Sequence, residues 1–332
     1  MLDVSHDLSQ LASALLVFSI PATVFWPYFA GAATLIIGLA TSIKNRIGQV
    51  SGIDKFILFG PLSFAIGMAI FGADHLVAAK FVATIVPSWI PGHLFWAYFV
   101  GFALLAAALS LATSIRWRLA AALLGIMIFI FVLTIHTPNL LTAPHDKVRL
   151  TLLLRDLTLS AGALAFGVSQ TGTNSGFRSL RSKLITVARI VIAVSIAVFG
   201  IDHFLDPTFA PGFPQEGPVI ITMPAWIPGH VFWAYLTGVT FIGCALGLLS
   251  RRYARFAATI LGIIVLVLLL FVYIPLTVAK ASDVANGLNY LAIHLALAGV
   301  AFFLAEASPA TMSEPAALAE IQRSGARRVP GS

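Results

Sequence analysis

The 332-residue chain is 59% hydrophobic and only 10% charged, with a mean hydropathy of +0.96, whereas roughly a quarter of the residues in soluble domains are charged. That composition excludes a soluble globular protein and points to a polytopic membrane protein whose first partner is the lipid bilayer. The net charge of +7 does not imply a nucleic-acid partner, because 18 of the 20 Lys and Arg, all but Arg155 and Arg189, gather in short segments between or at the ends of apolar runs and in the tail, the pattern of topology signals. A single cysteine, Cys244, rules out an internal disulfide and any multi-cysteine metal or iron–sulfur centre, and no metal site is expected.

Apolar runs of about 20 residues predict spanning helices, and the runs here do not alternate as barrel strands would. Residues 1–55 read as a leading segment from Leu11, interrupted at Pro21 and Pro27, and then one helix from Ala22 to Ile43. Met1 to Ile43 holds no Lys or Arg, so a secretory signal of the usual form is not expected. A first unit, 56–168, contains runs at about Phe56–Leu76, Leu94–Ser114, Leu119–Thr137 and Leu150–Val168. Residues 169–183, opening on a Gly/Ser/Thr-rich stretch, read as a cytoplasmic linker. A second unit, 184–306, contains runs at about Leu184–Phe204, Val231–Ser250, Phe256–Ile274 and Gly287–Ala305. The polar tail, 307–332, reads as disordered. The fold class is therefore all-α, with about nine spans.

The two units read as a duplication. Pro87-Ser88-Trp89-Ile90-Pro91-Gly92-His93-Leu94-Phe95-Trp96-Ala97-Tyr98 returns as Pro224-Ala225-Trp226-Ile227-Pro228-Gly229-His230-Val231-Phe232-Trp233-Ala234-Tyr235, at an offset of 137 that continues without a gap to Gly162 and Gly299. Upstream, Phe71-Gly72-Ala73-Asp74-His75 matches Phe199-Gly200-Ile201-Asp202-His203 at an offset of 128. The second copy thus carries nine extra residues around Pro207 to Glu216. An eroded third copy, Ile20-Pro21-Ala22-Thr23-Val24-Phe25-Trp26-Pro27-Tyr28, has Thr23 near the histidine position. Each unit has an even number of spans, so both copies share one orientation.

Fourteen Lys and Arg fall on one face (Lys44, Arg46, Lys55, Arg116, Arg118, Arg178, Arg181, Lys183, Arg251, Arg252, Arg255, Arg323, Arg327 and Arg328) and four on the other (Lys80, Lys147, Arg149 and Lys280). The positive-inside rule then predicts an N-terminus outside and a C-terminus on the cytoplasmic side. All eight histidines fall outside or in the outer half of the membrane under that topology.

Each copy presents an outer cluster, with Asp74-His75 and Asp202-His203 closing a first helix, and His93 with Trp96 and His230 with Trp233 opening a second. Trp and Tyr there also serve as interfacial anchors, Pro-Gly makes a turn, and a histidine at a helix C-terminus suits the dipole. Within the spans stand His136, Arg155, Asp156 and His294. Ionisable groups at such depth require a partner and mark functional sites. Adjacent helical residues point in different directions, so Arg155 is not expected simply to neutralise Asp156. The copies diverge here: Tyr273 stands opposite His136, Ile293 opposite Asp156 and His294 opposite Leu157.

Three chemistries suit this collection. A quinone headgroup would use His75, Asp156 and Trp96 as donor, proton exchanger and wall. Bis-histidine haem would use imidazoles from facing helices, such as His75 and His136. A relay for protons or substrate would use the intramembrane Asp and His residues.

The four-helix unit resembles the DoxX/DoxX-like membrane proteins, through Phe-Gly-x-Asp-His, the Trp-Ile-Pro-Gly-His-x-Phe-Trp-Ala-Tyr motif and Arg155-Asp156-Leu157-Thr158-Leu159-Ser160-Ala161-Gly162-Ala163-Leu164. Typical members resemble one such unit, whereas this chain has two. The resemblance implies a multi-pass protein of a bacterial-type inner (plasma) membrane, some of whose relatives are associated with quinone-linked oxidoreductase complexes, and it brings no established catalytic residues. The expectation is a subunit or accessory of a quinone-linked redox system, partnered by other membrane redox subunits and without activity on its own. A membrane scaffold and a small-molecule transporter are the alternatives.

Overall fold

The computed structural model describes residues 21–169, 175–208, 212, 227–279 and 284–308. Among these residues there is no strand, and nine helices are long and apolar enough to cross a membrane. The chain is an all-α, multi-span membrane protein. The main helices of these spans are α1 (Ala22–Gly38), α2 (Gly60–Val77), α3 (His93–Thr113), α4 (Trp117–Phe131), α5 (Lys147–Val168), α6 (Ser175–Leu205), α7 (His230–Leu249), α8 (Ala254–Leu268) and α9 (Val284–Ala307). The ends carrying His75, His93 and His136 are called here the histidine end, and the opposite ends the arginine end.

The expected leading segment from Leu11 and the polar tail lie outside the described residues. The boundary at the linker changes. α6 begins at Ser175, so Arg178, Arg181 and Lys183 ride on a helix that extends nine residues before the expected start at Leu184. Lys, Arg and Leu are good helix formers, and Arg181 Nη1 donates to the Ser169 carbonyl at 3.0 Å, tying this first stretch to the end of α5.

The recurring Pro-Gly-His stretch owes its shape to local chemistry. Gly92 and Gly229 precede α3 and α7 in the left-handed region, at φ +73° and +72°, where only glycine sits without steric cost. The indole N–H groups of Trp96 and Trp233 donate to the carbonyls of Pro91 and Pro228, at 3.1 and 3.0 Å, and so lock each turn onto its helix. Phe95 meets Trp96 edge-on with centroids 5.4 Å apart, Phe232 meets Trp233 at 5.3 Å, and Phe25 meets Trp26 at 5.2 Å. These aromatics are largely exposed, as interfacial anchors are.

α4 and α8 each run into a π-turn, Val132–His136 and Leu269–Tyr273, and then a short helix, Thr137–Thr142 and Ile274–Ala279. Pro138 and Pro275 supply the reason. A proline lacks an N–H and crowds the carbonyl four residues back, and the wider turn reroutes the ladder ahead of it. The last residues of the two π-turns are His136 and Tyr273.

Packing joins the two sets of four helices more closely than the sequence suggests. α2 packs on α3, α4 on α5, α6 on α7 and α8 on α9, but α2 also packs on α9 and α5 on α6, with α5 and α9 in contact across the middle. One hydrophobic core runs through Phe64, Phe166, Phe199, Phe241 and Phe303, and Phe166 stacks on Phe303 with centroids 4.0 Å apart. At the arginine end, Arg118 bonds the Phe166 carbonyl at 3.0 Å and Glu306 at 2.8 Å. Arg255 bonds the Ala305 carbonyl at 3.1 Å and Asp54 at 2.9 Å. Each arginine satisfies a terminal helix carbonyl and reaches the other set of helices.

With little hydrophobic drive between helices in lipid, close contact of small residues holds such seams. A Cβ at Gly299 would lie 2.6 Å from the Phe64 nitrogen and 2.9 Å from the Gly60 carbonyl. Gly299→Ala must therefore push α9 away from α2, at a cost of about 1–3 kcal/mol. A Cβ at Gly243 meets nothing within 4 Å, so Gly243→Ala should be neutral or slightly stabilising. Thermal unfolding of the two variants in detergent checks the contrast.

Candidate functional site

The site is built where α5 passes the π-turn that ends α4. Asp146 caps α5, its Oδ1 accepting from the backbone N–H of Val148 at 2.9 Å and of Arg149 at 3.3 Å, which is the usual reward of an Asp at this position. Arg149 then clamps the rim. Its Nε lies 3.1 Å from Asp146 Oδ2, and its Nη1 donates to the Asn139 carbonyl at 2.7 Å and to Thr142 Oγ1 at 2.5 Å. The short helix after the π-turn is thereby fastened to the start of α5.

About two and a half turns further along α5 lies the charged centre. Asp156 Oδ2 accepts from His136 Nε2 at 2.9 Å, and Asp156 Oδ1 accepts from Arg155 Nε at 2.9 Å. The three side chains are only 13–16% exposed. The expectation that Arg155 does not simply neutralise its neighbour is therefore corrected: the Cα–Cβ vectors diverge, but the long arginine side chain folds across the helix surface to reach the carboxylate. Both carboxylate oxygens have charge-assisted or imidazole donors, the compensation that a buried acid requires. A recess of about 270 Å3 adjoins, lined by His136, Asn139, Arg149 and Leu152.

The corresponding region of α6, α8 and α9 is built differently. His203 is buried, with its Nδ1–H donating to the Phe199 carbonyl at 2.6 Å, while its Nε2 accepts from the Gly212 N–H at 2.9 Å. Tyr273 stacks on His294 with centroids 3.9 Å apart, and His294 Nδ1 bonds the Tyr290 carbonyl at 2.8 Å. Gly212 has φ +141°, in a region open essentially to glycine alone. A Cβ there would stand 2.8 Å from Tyr273 Oη and 3.1 Å from His294 Nε2. Main chain at residue 212 thus lies against His203, Tyr273 and His294 together.

The remaining candidates separate. His75 Nδ1 donates to the Phe71 carbonyl at 2.8 Å. Asp202 and Asp206 flank Lys147 Nζ at 3.5 and 2.6 Å, a bridge between α6 and the start of α5, while Asp74 has no ion pair among the described residues. His93 and His230 are the first residues of α3 and α7 and are partly exposed. Trp96 turns to Phe95, Phe99 and the Pro91 carbonyl, and Trp233 to Phe232 and the Pro228 carbonyl. Among the described residues no group of three or more His, Cys, Asp or Glu is placed to hold a metal ion. Of the expected residues, His136 and Asp156 are brought into direct contact, and so are the surroundings of His203 and His294 through Gly212.

Sequence reasoning missed Asn139, Arg149 and Gly212. Arg149 was visible three residues after Asp146, an i,i+3 pair opening a helix. Nothing short of the tertiary structure points to Gly212. Comparison with family models, with curated proteins and with solved structures finds no match for this chain.

Asp156→Leu should leave Arg155 and His136 short of their acceptor and cost about 3 kcal/mol. The double change Arg155→Met with Asp156→Leu should recover a large part of that loss, because no charge is then stranded. Equilibrium unfolding in mixed micelles compares the two.

Proposed function

We propose that the chain is a membrane subunit or accessory of a quinone-linked redox system, and that its first unit holds a quinone-type headgroup in the outer leaflet. The observation that carries this reading is the His136–Asp156–Arg155 contact beside a recess lined by His136, Asn139, Arg149 and Leu152. A quinone headgroup carries ring oxygens that exchange protons, and an imidazole oriented by a carboxylate is suited to hold and pass a proton at such an oxygen. A recess of about 270 Å3 lies just under the roughly 300–1,000 Å3 of drug-sized ligand pockets; it suits a single substituted ring whose isoprenoid tail stays in lipid. When bound, the quinone would supply the redox chemistry. The residues of this chain would orient it and handle its protons.

Several further points support the reading. The motifs that resemble the DoxX family include Arg155 and Asp156, which make the central contact. The excess of Lys and Arg at the opposite end of the helices supports an external position for the recess, and the resemblance supports a bacterial-type inner membrane. Matched turns at Gly92 and Gly229, matched indole bonds at Trp96 and Trp233, and π-turns at Val132–His136 and Leu269–Tyr273 all agree with a tandem duplication at the offset of 137. In this reading the second copy has replaced the histidine and aspartate by Tyr273 and Ile293.

Titration of the full chain in nanodiscs with a short-chain ubiquinone, in oxidised and in reduced form, tests the proposal by calorimetry. Saturable binding of at least one form is expected. Leu152→Trp, which fills the recess without removing a polar group, should weaken that binding by about tenfold or more. Absence of binding by both forms, with a co-purifying membrane protein, would favour the scaffold.

A further inference from the structure

The second unit shows, in its own main chain, what kind of group its first-helix histidine receives. At His203 the partners fix the proton. The Phe199 carbonyl can only accept, so Nδ1 carries the hydrogen, and the Gly212 N–H can only donate, so Nε2 is a bare acceptor. His203 is a neutral imidazole whose outward nitrogen takes a hydrogen bond.

His75 occupies the same frame. A Cβ at Gly101 would lie 3.1 Å from His75 Cβ and 3.1 Å from the Gly72 carbonyl, while a Cβ at Gly238 would lie 3.1 Å from His203 Cβ and 2.9 Å from the Gly200 carbonyl. The two histidines thus leave equivalent helix crossings, α2 on α3 and α6 on α7. Nδ1 of His75 is likewise turned to a carbonyl four residues back, Phe71, at 2.8 Å, so its neutral form also presents Nε2 as an acceptor. No group among the described residues donates to that nitrogen. The nine residues that supply Gly212 in the second copy have no counterpart in the first, so the first unit lacks the N–H that satisfies His203.

His136 has the same polarity by a different route. Asp156 accepts from Arg155 as well as from His136, so it acts as a carboxylate, which has no hydrogen to give. His136 Nε2 must then be the protonated nitrogen, and the neutral ring is left with Nδ1 as an acceptor. Arg149, the cation on the rim, is already committed to Asp146, Asn139 and Thr142. The residues around Gly212, namely His203, Tyr273 and His294, stand opposite His75, His136 and Leu157 in the first copy, and Leu157 directly follows Asp156.

We propose that the place in the first unit equivalent to the one Gly212 fills beside His203 and Tyr273, between His75 and His136, selects a headgroup that donates hydrogen bonds, which for a quinone-type ligand is the reduced quinol, and that the second unit binds no ligand because the Gly212 main chain stands in that place. This deepens the quinone reading above and rests on it. A quinol hydroxyl donates to His75 Nε2 as the Gly212 N–H does to His203 Nε2. The quinone carbonyl, with no hydrogen, offers neither acceptor a partner and displaces the water that could supply one, so each nitrogen it covers carries a desolvation penalty.

The experiment is a pair of anaerobic calorimetric titrations of the full chain in nanodiscs, one with a short-chain ubiquinol and one with the matching ubiquinone. The expected result is one site per chain and a quinol affinity about tenfold higher than that of the quinone. His75→Leu should lower quinol affinity to the level of the quinone, whereas His75→Gln, whose amide oxygen can accept near the position of Nε2, should keep a quinol preference. Size-exclusion profiles and melting curves accompany both variants, and the wild-type preference and stoichiometry decide the matter even where His75→Leu fails to fold. Equal affinities, a tighter quinone, two sites per chain, or an unchanged quinol preference in folded His75→Leu would each overturn this inference while leaving the quinone site in place. Failure of both forms to bind the wild type would instead remove the quinone reading itself.

Discussion

The constraint on which the rest of the structure depends is the close approach of α9 to α2 and α5. Lipid is as apolar as a leucine side chain, so burying leucine against leucine gains little within a bilayer, and helices adhere where their backbones come near. Gly60 and Gly299 permit that between α2 and α9, and a Cβ at Gly162 of α5 would strike Val300 of α9. The spans containing α2 and α9 are also the most fully buried of the nine candidate spans. The two sets of four helices consequently complete each other. α2 also packs on the last helix of the other set, α6 also packs on α5, and one large core runs through both sets.

This central packing also governs the polar chemistry. α5 stands between its partner α4 and the middle of the bundle, so a carboxylate on the side that faces the π-turn is shielded from lipid and meets His136. An acid there without donors would be costly, and the neighbouring Arg155 and the π-turn histidine together remove the cost. Pro138 matters for the same reason, because the rerouted ladder before it shapes the turn whose last residue is His136. On the other side, Pro275 does the same for Tyr273, whose ring lies on His294. One local device, a proline preceded by a π-turn, thus serves an ion pair in one half and an aromatic–imidazole stack in the other.

The asymmetry between the halves gives the molecule its functional interest. The helix crossings, the Pro-Gly turns and the tryptophan bonds match closely in the two, whereas the polar centres do not. In the second half the polar groups are answered from within, by Gly212 and by ring stacking. In the first half a charged contact borders a recess, and the outward nitrogen of His75 has no donor among the described residues.

Composition and periodicity determined the class, the number of spans and most of their limits, because a helix in a bilayer must be about 20 apolar residues long and satisfy its own backbone. The repeated motif also marked His75, His93, His203 and His230, and depth alone singled out His136, Asp156 and His294. What only the tertiary structure decided was partnership. Arg155 reaches Asp156 through a flexible side chain that spacing rules do not describe, and His136 meets Asp156 across twenty residues because two helices pack antiparallel. The start of α6 moved to Ser175 because basic residues can extend a helix beyond its apolar stretch. Gly212 joins His203, Tyr273 and His294 through a backbone path that glycine permits but no periodicity encodes. Periodic patterns record which face of a helix is apolar; which two polar groups meet depends on where separate helices cross, and that is fixed only when the whole bundle closes.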